Sequence, residues 1–162
     1  MRESISESWA IPIISFFILL FVAFLTLIIS YSKCFKIKNE VISIIEKYEG
    51  INDKSLEIIT TYLRVANYKG YSGCDVGEFI DGTVYGMPLN GTDFVRITES
   101  NKNNKYSYCI KPEYVSNMTL TNYEVVLFYN FNIPVFGNIA AFEVKGKTID
   151  LGIKNADYLL SL

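Results

Sequence analysis

From Ala10 to Tyr31 the chain reads AIPIISFFILLFVAFLTLIISY, without one charged position. As a helix rising about 1.5 Å per residue, this run is roughly 33 Å long, enough to cross a hydrocarbon core of about 30 Å once. The pattern then changes without breaking. Ile37, Val41, Ile44, Ile45 and Tyr48 continue at helical spacing, while Lys36, Lys38, Glu40, Glu46, Lys47 and Glu49 fill other positions. Lys36 and Glu40 stand at i,i+4, the spacing of a helical ion pair. Gly50 supplies a stop. One helix is therefore predicted from about Ser8 to Glu49, roughly 60 Å long. Its first half suits lipid, and its second half carries an apolar stripe that something must cover. Pro12 falls close enough to the start to be tolerated or to bend the helix slightly.

A second helix is predicted from about Lys54 to Asn67, with Asp53 as N-cap and Glu57 near the positive end of the helix dipole. Leu56, Ile59, Leu63 and Ala66 form one apolar face, read as core. The connection Gly50-Ile51-Asn52-Asp53 is short enough for an antiparallel return onto the first helix. Beyond Tyr68 the pattern turns to β. Strands are predicted at Gly82 to Tyr85, Phe94 to Thr98, Lys105 to Lys111, Asn122 to Phe131 and Ala141 to Asp150, with a turn over 99–104. Phe142, Val144 and Gly146 alternate with Glu143, Lys145 and Lys147, the mark of an antiparallel sheet with one packed and one wet face. The apolar stripe of the helices is the natural partner of that packed face. Pro134 should interrupt the sheet or lie on an edge. The fold class is thus α+β, divided into a short tail (1–9), a transmembrane helix (10–31) and a single soluble domain (32–162).

The apolar run is too long for a cleaved signal peptide, and Tyr31-Ser32-Lys33-Cys34-Phe35-Lys36 after it offers no small-residue cleavage site. Lys33 is also a poor match to the small residue that lipoprotein processing at Cys34 needs. An uncleaved signal anchor is expected, with the lipid bilayer as its partner. Two arguments about orientation oppose each other. Lys33, Lys36 and Lys38 outnumber Arg2 on the other flank, which would hold the large domain in the cytoplasm. The Tyr-, Asn- and Gly-rich β region containing Cys74 and Cys109 is of the kind found on cell surfaces. In an oxidising compartment those two cysteines pair, and in a reducing one they are two buried thiols. Cys34, at the membrane boundary, is expected to be free or packed.

Chemistry is sparse. The chain has no histidine, which removes Ser-His-Asp triads, Cys-His nucleophiles and imidazole zinc sites. It has no Gly-x-Ser-x-Gly elbow and no phosphate-cradling glycine loop. Asp75, Glu78 and Asp81 lie close together but match no calcium loop, and they read as loop solvation. No catalytic residue, cofactor or metal is expected. A formal net charge of −2 gives no basic footprint for nucleic acid. Asn90-Gly91-Thr92 and Asn117-Met118-Thr119 match the glycosylation sequon, a pattern that chance often supplies. Glu7, immediately before Ser8-Trp9 and the apolar run, reads as a headgroup-level charge beside an interfacial tryptophan.

A short polar leader, Glu7 ahead of the run that begins at Ala10, Pro12 early in it, and an apolar helix passing into an amphipathic half resemble pilins and pseudopilins. The pattern is most similar to the TadE-like minor pseudopilins of Flp (tight adherence) pilus systems. The resemblance covers the first 50 residues and only loosely the β region. One departure is plain: prepilin processing requires a small residue before the cut, and the usual spacing from Glu7 would place the cut after Arg2. The resemblance implies a pilin-like fold, an extracellular domain on a single-pass membrane anchor, and a structural or assembly role in a pilus-like or secretion-type apparatus. It also implies that the helix packs against other assembly subunits, with Glu7 relieved by a partner's amine or another cation. The rival expectation is an anchored extracellular binding module that recruits a partner without joining a filament.

Overall fold

The computed structural model describes residues 3–68, 70–74, 84–88, 91, 93–114, 120–133 and 137–152. Helix α1 runs unbroken over Glu3–Lys47, 45 residues or about 68 Å, with Pro12 inside it. Its start lies further forward than the sequence pattern indicates, because Glu3 to Glu7 continue the helix ahead of the apolar run. Among the described residues it is the one helix long and apolar enough to cross a membrane, and none of its most apolar window is buried. Within that half the Thr26 hydroxyl donates to the Val22 carbonyl at 2.9 Å, so a polar group on an apolar helix is satisfied internally.

The second half of α1 is the opposite. Cys34, Ile37, Val41, Ile44 and Ile45 are all buried. The helix ends where Glu49 takes a left-handed φ of 55°, with Glu49 N–H donating to Glu46 O and Gly50 N–H to Ile45 O. Gly50 follows at φ 129°, a conformation that favours glycine. Helix α2, Asp53–Val65, is capped by Asn52 rather than by Asp53. The Asn52 side chain accepts from Ser55 N–H at 2.8 Å, and Ser55 Oγ accepts from Asn52 N–H at 2.9 Å. The reciprocal pair satisfies two orphan donors at once, and Asp53 becomes the acidic residue of the first turn. Leu56, Ile59 and Leu63 face the core, together with the buried Ser55 and Thr60.

Among the described residues seven strands follow: β1 Ser72–Gly73, β2 Val84–Pro88, β3 Val95–Ile97, β4 Lys105–Tyr114, β5 Leu120–Ile133, β6 Gly137–Lys147 and β7 Leu151–Gly152. All pairings are antiparallel, in the order β3-β2-β4-β5-β6, with β1 added to β4 and β7 to β5. The architecture is α+β, two helices on an antiparallel sheet. β1 and β7, two residues each, carry too little pattern to be read from sequence. β4 reaches past Lys111 through Pro112, which pairs with Tyr123 of β5, at a level that β2 does not reach among the described residues. β6 begins at Gly137 and not at Ala141, since uncharged residues pair as readily as alternating ones. β5 ends at Ile133, and Pro134 lies outside the described residues.

Alternation along the strands divides the core. Tyr108, Ile110, Tyr123, Val125, Leu127 and Val144 pack against α1 and α2. Val84, Ile97, Cys109, Val126 and Phe128 form a smaller cluster on the other face. The helix packs tightly at Gly146, where a Cβ would lie 2.7 Å from Ile42 Cδ1 and 2.8 Å from Lys38 Cδ. Lys38 is itself buried, its stem against this glycine and its ammonium 4.2 Å from the centre of the Phe35 ring.

Candidate functional site

A concavity lies where α1 leaves its apolar half. It encloses about 390 Å³ and is lined from three directions. α1 contributes Ser30, Lys33, Cys34 and Ile37, the end of α2 and its exit contribute Asn67, Tyr68, Gly70 and Tyr71, and β5 contributes Tyr129 and Asn130. Local sequence explains the gathering. Cys34, Ile37 and Val41 recur at i, i+3 and i+7, so Cys34 belongs to the buried stripe of α1. Asn67 takes the left-handed φ of 49° that ends α2, and Tyr68 N–H then donates to Leu63 O at 3.1 Å. That turn sends Tyr68 across to the sheet.

Tyr68 ties the three elements together. Its hydroxyl donates to the Phe128 carbonyl and lies 3.7 Å from Cys34 Sγ. Burial pushes the ionisation of Tyr68 far above the ordinary phenol value, and the neighbouring Cys34 pushes it in the same direction. Burial also raises the Cys34 thiol, against smaller opposing effects from Tyr68 and Lys38. Cys34 is a free, buried, protonated thiol, poorly suited to nucleophilic work. Asn130 Oδ1 is buried without a hydrogen-bond partner. The cavity therefore offers an amide acceptor, an exposed cation at Lys33 and aromatic walls, which suits holding a polar group.

The residues singled out from sequence do not meet there. Cys74 and Cys109 are joined as a disulfide with Cα atoms 6.0 Å apart, and both belong to the cluster on the sheet face away from the helices. Glu7 lies in α1 by its backbone, and its side chain is outside the described residues, as are Asp75, Glu78, Asp81, Asn90 and Asn117. Among the described residues no group of three or more His, Cys, Asp or Glu could hold a metal ion. Sequence reasoning placed Cys34 near the membrane but missed the cavity. Its walls come from segments more than thirty residues apart, and only the helical register of Cys34 was a local signal.

No family model, curated protein or solved structure matches the chain.

Proposed function

We propose that this protein is a membrane-anchored, non-catalytic assembly subunit: a pilin-like rod and head, working in a pilus-like or secretion-type surface apparatus. The observation that carries the reading is the continuity of α1. One helix supplies both an apolar half with no cover of its own and the stripe on which the sheet packs. No linker separates the two, so a force or a rotation on the apolar half reaches the head directly. Helices of neighbouring subunits would lie side by side in the bilayer, where close packing and a few polar contacts drive association. Glu7, at the start of the run, would be the costly charge relieved by a partner's cation. The head would face outward, where the Cys74–Cys109 bond is stable.

The test is cross-linking through single cysteines placed from Ile13 to Leu27 in membranes, with and without Glu7→Gln. The reading predicts cross-links that recur at helical spacing and weaken at least tenfold with Glu7→Gln. Cross-links absent on every face would remove the assembly role. The cavity between Lys33 and Asn130 would then favour the second reading, an anchored module that binds a ligand at the membrane surface.

A further inference from the structure

The cavity between α1, the exit of α2 and β5 stands at a level that α1 itself marks. Its wall includes Ser30, inside the uncharged run, and then Lys33 and Ile37, about one and two turns further along the same helix. Lys33 is the first charge after the run, and Tyr31 and Phe35 beside it are both exposed, as aromatic side chains at the edge of lipid are. With the apolar half of α1 in a bilayer, the cavity lies at the depth of the lipid headgroups.

Its chemistry suits an anion. Among the described residues that line it, Lys33 is the one charged side chain and there is no carboxylate. A second ammonium is close by, with Lys105 Nζ 5.4 Å from the centre of the Tyr71 ring. Neither the Ser30 hydroxyl nor the Lys33 ammonium has a hydrogen-bond or ion-pair partner among the described residues, so both donors are open to a ligand. The space, about 390 Å³, falls within the range of small-ligand sites and far exceeds what one water fills. A choline headgroup would bring a cation for which this lining has no counter-charge.

A soluble anion would use the same ammonium, but the helix on the membrane side of the cavity favours a lipid. Ala23, Thr26 and Ser30 recur at i, i+3 and i+7, on one face of α1. From Trp9 to Lys33 only Ala23 and Ser30 are half-buried, sunk between larger exposed neighbours. The Thr26 hydroxyl is taken by the Val22 carbonyl, which leaves this face apolar up to Ser30. A shallow apolar track thus leads along the span to a cationic cavity.

We propose that the cavity holds the headgroup of an anionic phospholipid, its phosphate against Lys33 and Ser30 and one acyl chain along the Ala23–Ser30 face of α1. The inference rests on the apolar half of α1 lying in the bilayer and does not depend on subunits associating. Full-length protein in non-ionic detergent micelles is titrated with phosphatidylglycerol or phosphatidylcholine, and bound lipids are counted by native mass spectrometry. One phosphatidylglycerol should bind per chain, about tenfold more tightly than phosphatidylcholine. Lys33→Gln should weaken phosphatidylglycerol about fivefold. Lys36→Gln, the same loss of charge at an exposed position outside the lining, should weaken it less than about twofold. Equal affinities for the two lipids, or a loss in Lys33→Gln no larger than in Lys36→Gln, overturn the proposal. Glycerol 1-phosphate carries the headgroup chemistry without chains and should not displace the lipid at equal concentration; if it does, the site takes a free phosphate and the lipid assignment falls. Trp9, the single tryptophan, reports the premise separately through quenching by lipid brominated on its acyl chains. A quenched Trp9 without a preference for phosphatidylglycerol overturns the lipid site alone, and an unquenched Trp9 overturns the anchor with it.

Discussion

Replacing Ile45 by alanine tests the division of α1 into two unlike halves. Ile45 is fully buried between helix and sheet, and the substitution removes three carbons. At about 0.8 kcal/mol per methylene, the lost transfer energy is about 2.4 kcal/mol, and the cavity left in a packed core brings the cost to about 3–4 kcal/mol. That is a large share of the roughly 5–15 kcal/mol by which domains are stable, and lowers the folded-to-unfolded ratio by two to three powers of ten. Phe17, in the apolar half and 63% exposed, is the control. Phe17→Ala should change the stability of the head by less than about 0.5 kcal/mol. Urea unfolding of the full-length protein in micelles, followed by tyrosine near-ultraviolet circular dichroism, measures both. With a slope of about 1.5 kcal/mol per molar, Ile45→Ala lowers the midpoint by roughly 2 M and leaves the slope unchanged. A loss below about 1 kcal/mol, or an equal loss in Phe17→Ala, would refute the assignment of the second half to the core.

Three further outcomes follow from particular groups. Replacing Cys74 and Cys109 together by serine opens a loop with a sequence separation of 35 and should cost about 3–4 kcal/mol in the same urea titration. Asn52→Ala removes one side of the capping box and should cost about 1 kcal/mol, with Asn52→Asp restoring most of it. Stability should also fall in alkali. Tyr108 is fully buried and its ionisation is pushed up to about 12 by desolvation, against a smaller opposing effect of the Thr60 hydroxyl. Neither oxygen makes a hydrogen bond of normal geometry. A raised folded value means the unfolded chain releases its proton first, so stability is full below pH 10 and declines as pH rises from 10 to 12, by roughly 2–3 kcal/mol for this group. Tyr108→Phe should flatten that decline in urea midpoints measured from pH 8 to 12.

The parts of this fold legible in the sequence are those whose signal is periodic and local. The apolar run, the stripe from Ile37 to Ile45 and the face of Leu56, Ile59 and Leu63 each repeat at helical spacing over several turns. The alternation around Val144 marks a strand for the same reason. Boundaries fared worse where a neighbour in space decides them. Asn52 outcompetes Asp53 as cap because Ser55, not a residue three beyond Asp53, completes the reciprocal pair. β6 starts early because β5 pairs with it back to Gly137, a fact invisible in the uncharged stretch itself. The cavity was not legible at all, since Tyr68 reaches Phe128 across sixty residues.

The proposed surface-assembly role requires the head to lie outside the cell on one membrane-spanning helix, and labelling an exposed cysteine on intact cells tests that most directly. Asn103→Cys, in the exposed turn before β4, serves as reporter in a Cys34→Ala background with the Cys74–Cys109 bond left intact. A membrane-impermeant maleimide should label it fully on intact cells, with no further gain on lysis. Labelling that appears only after lysis would put the head in the cytoplasm and contradict the surface-assembly role.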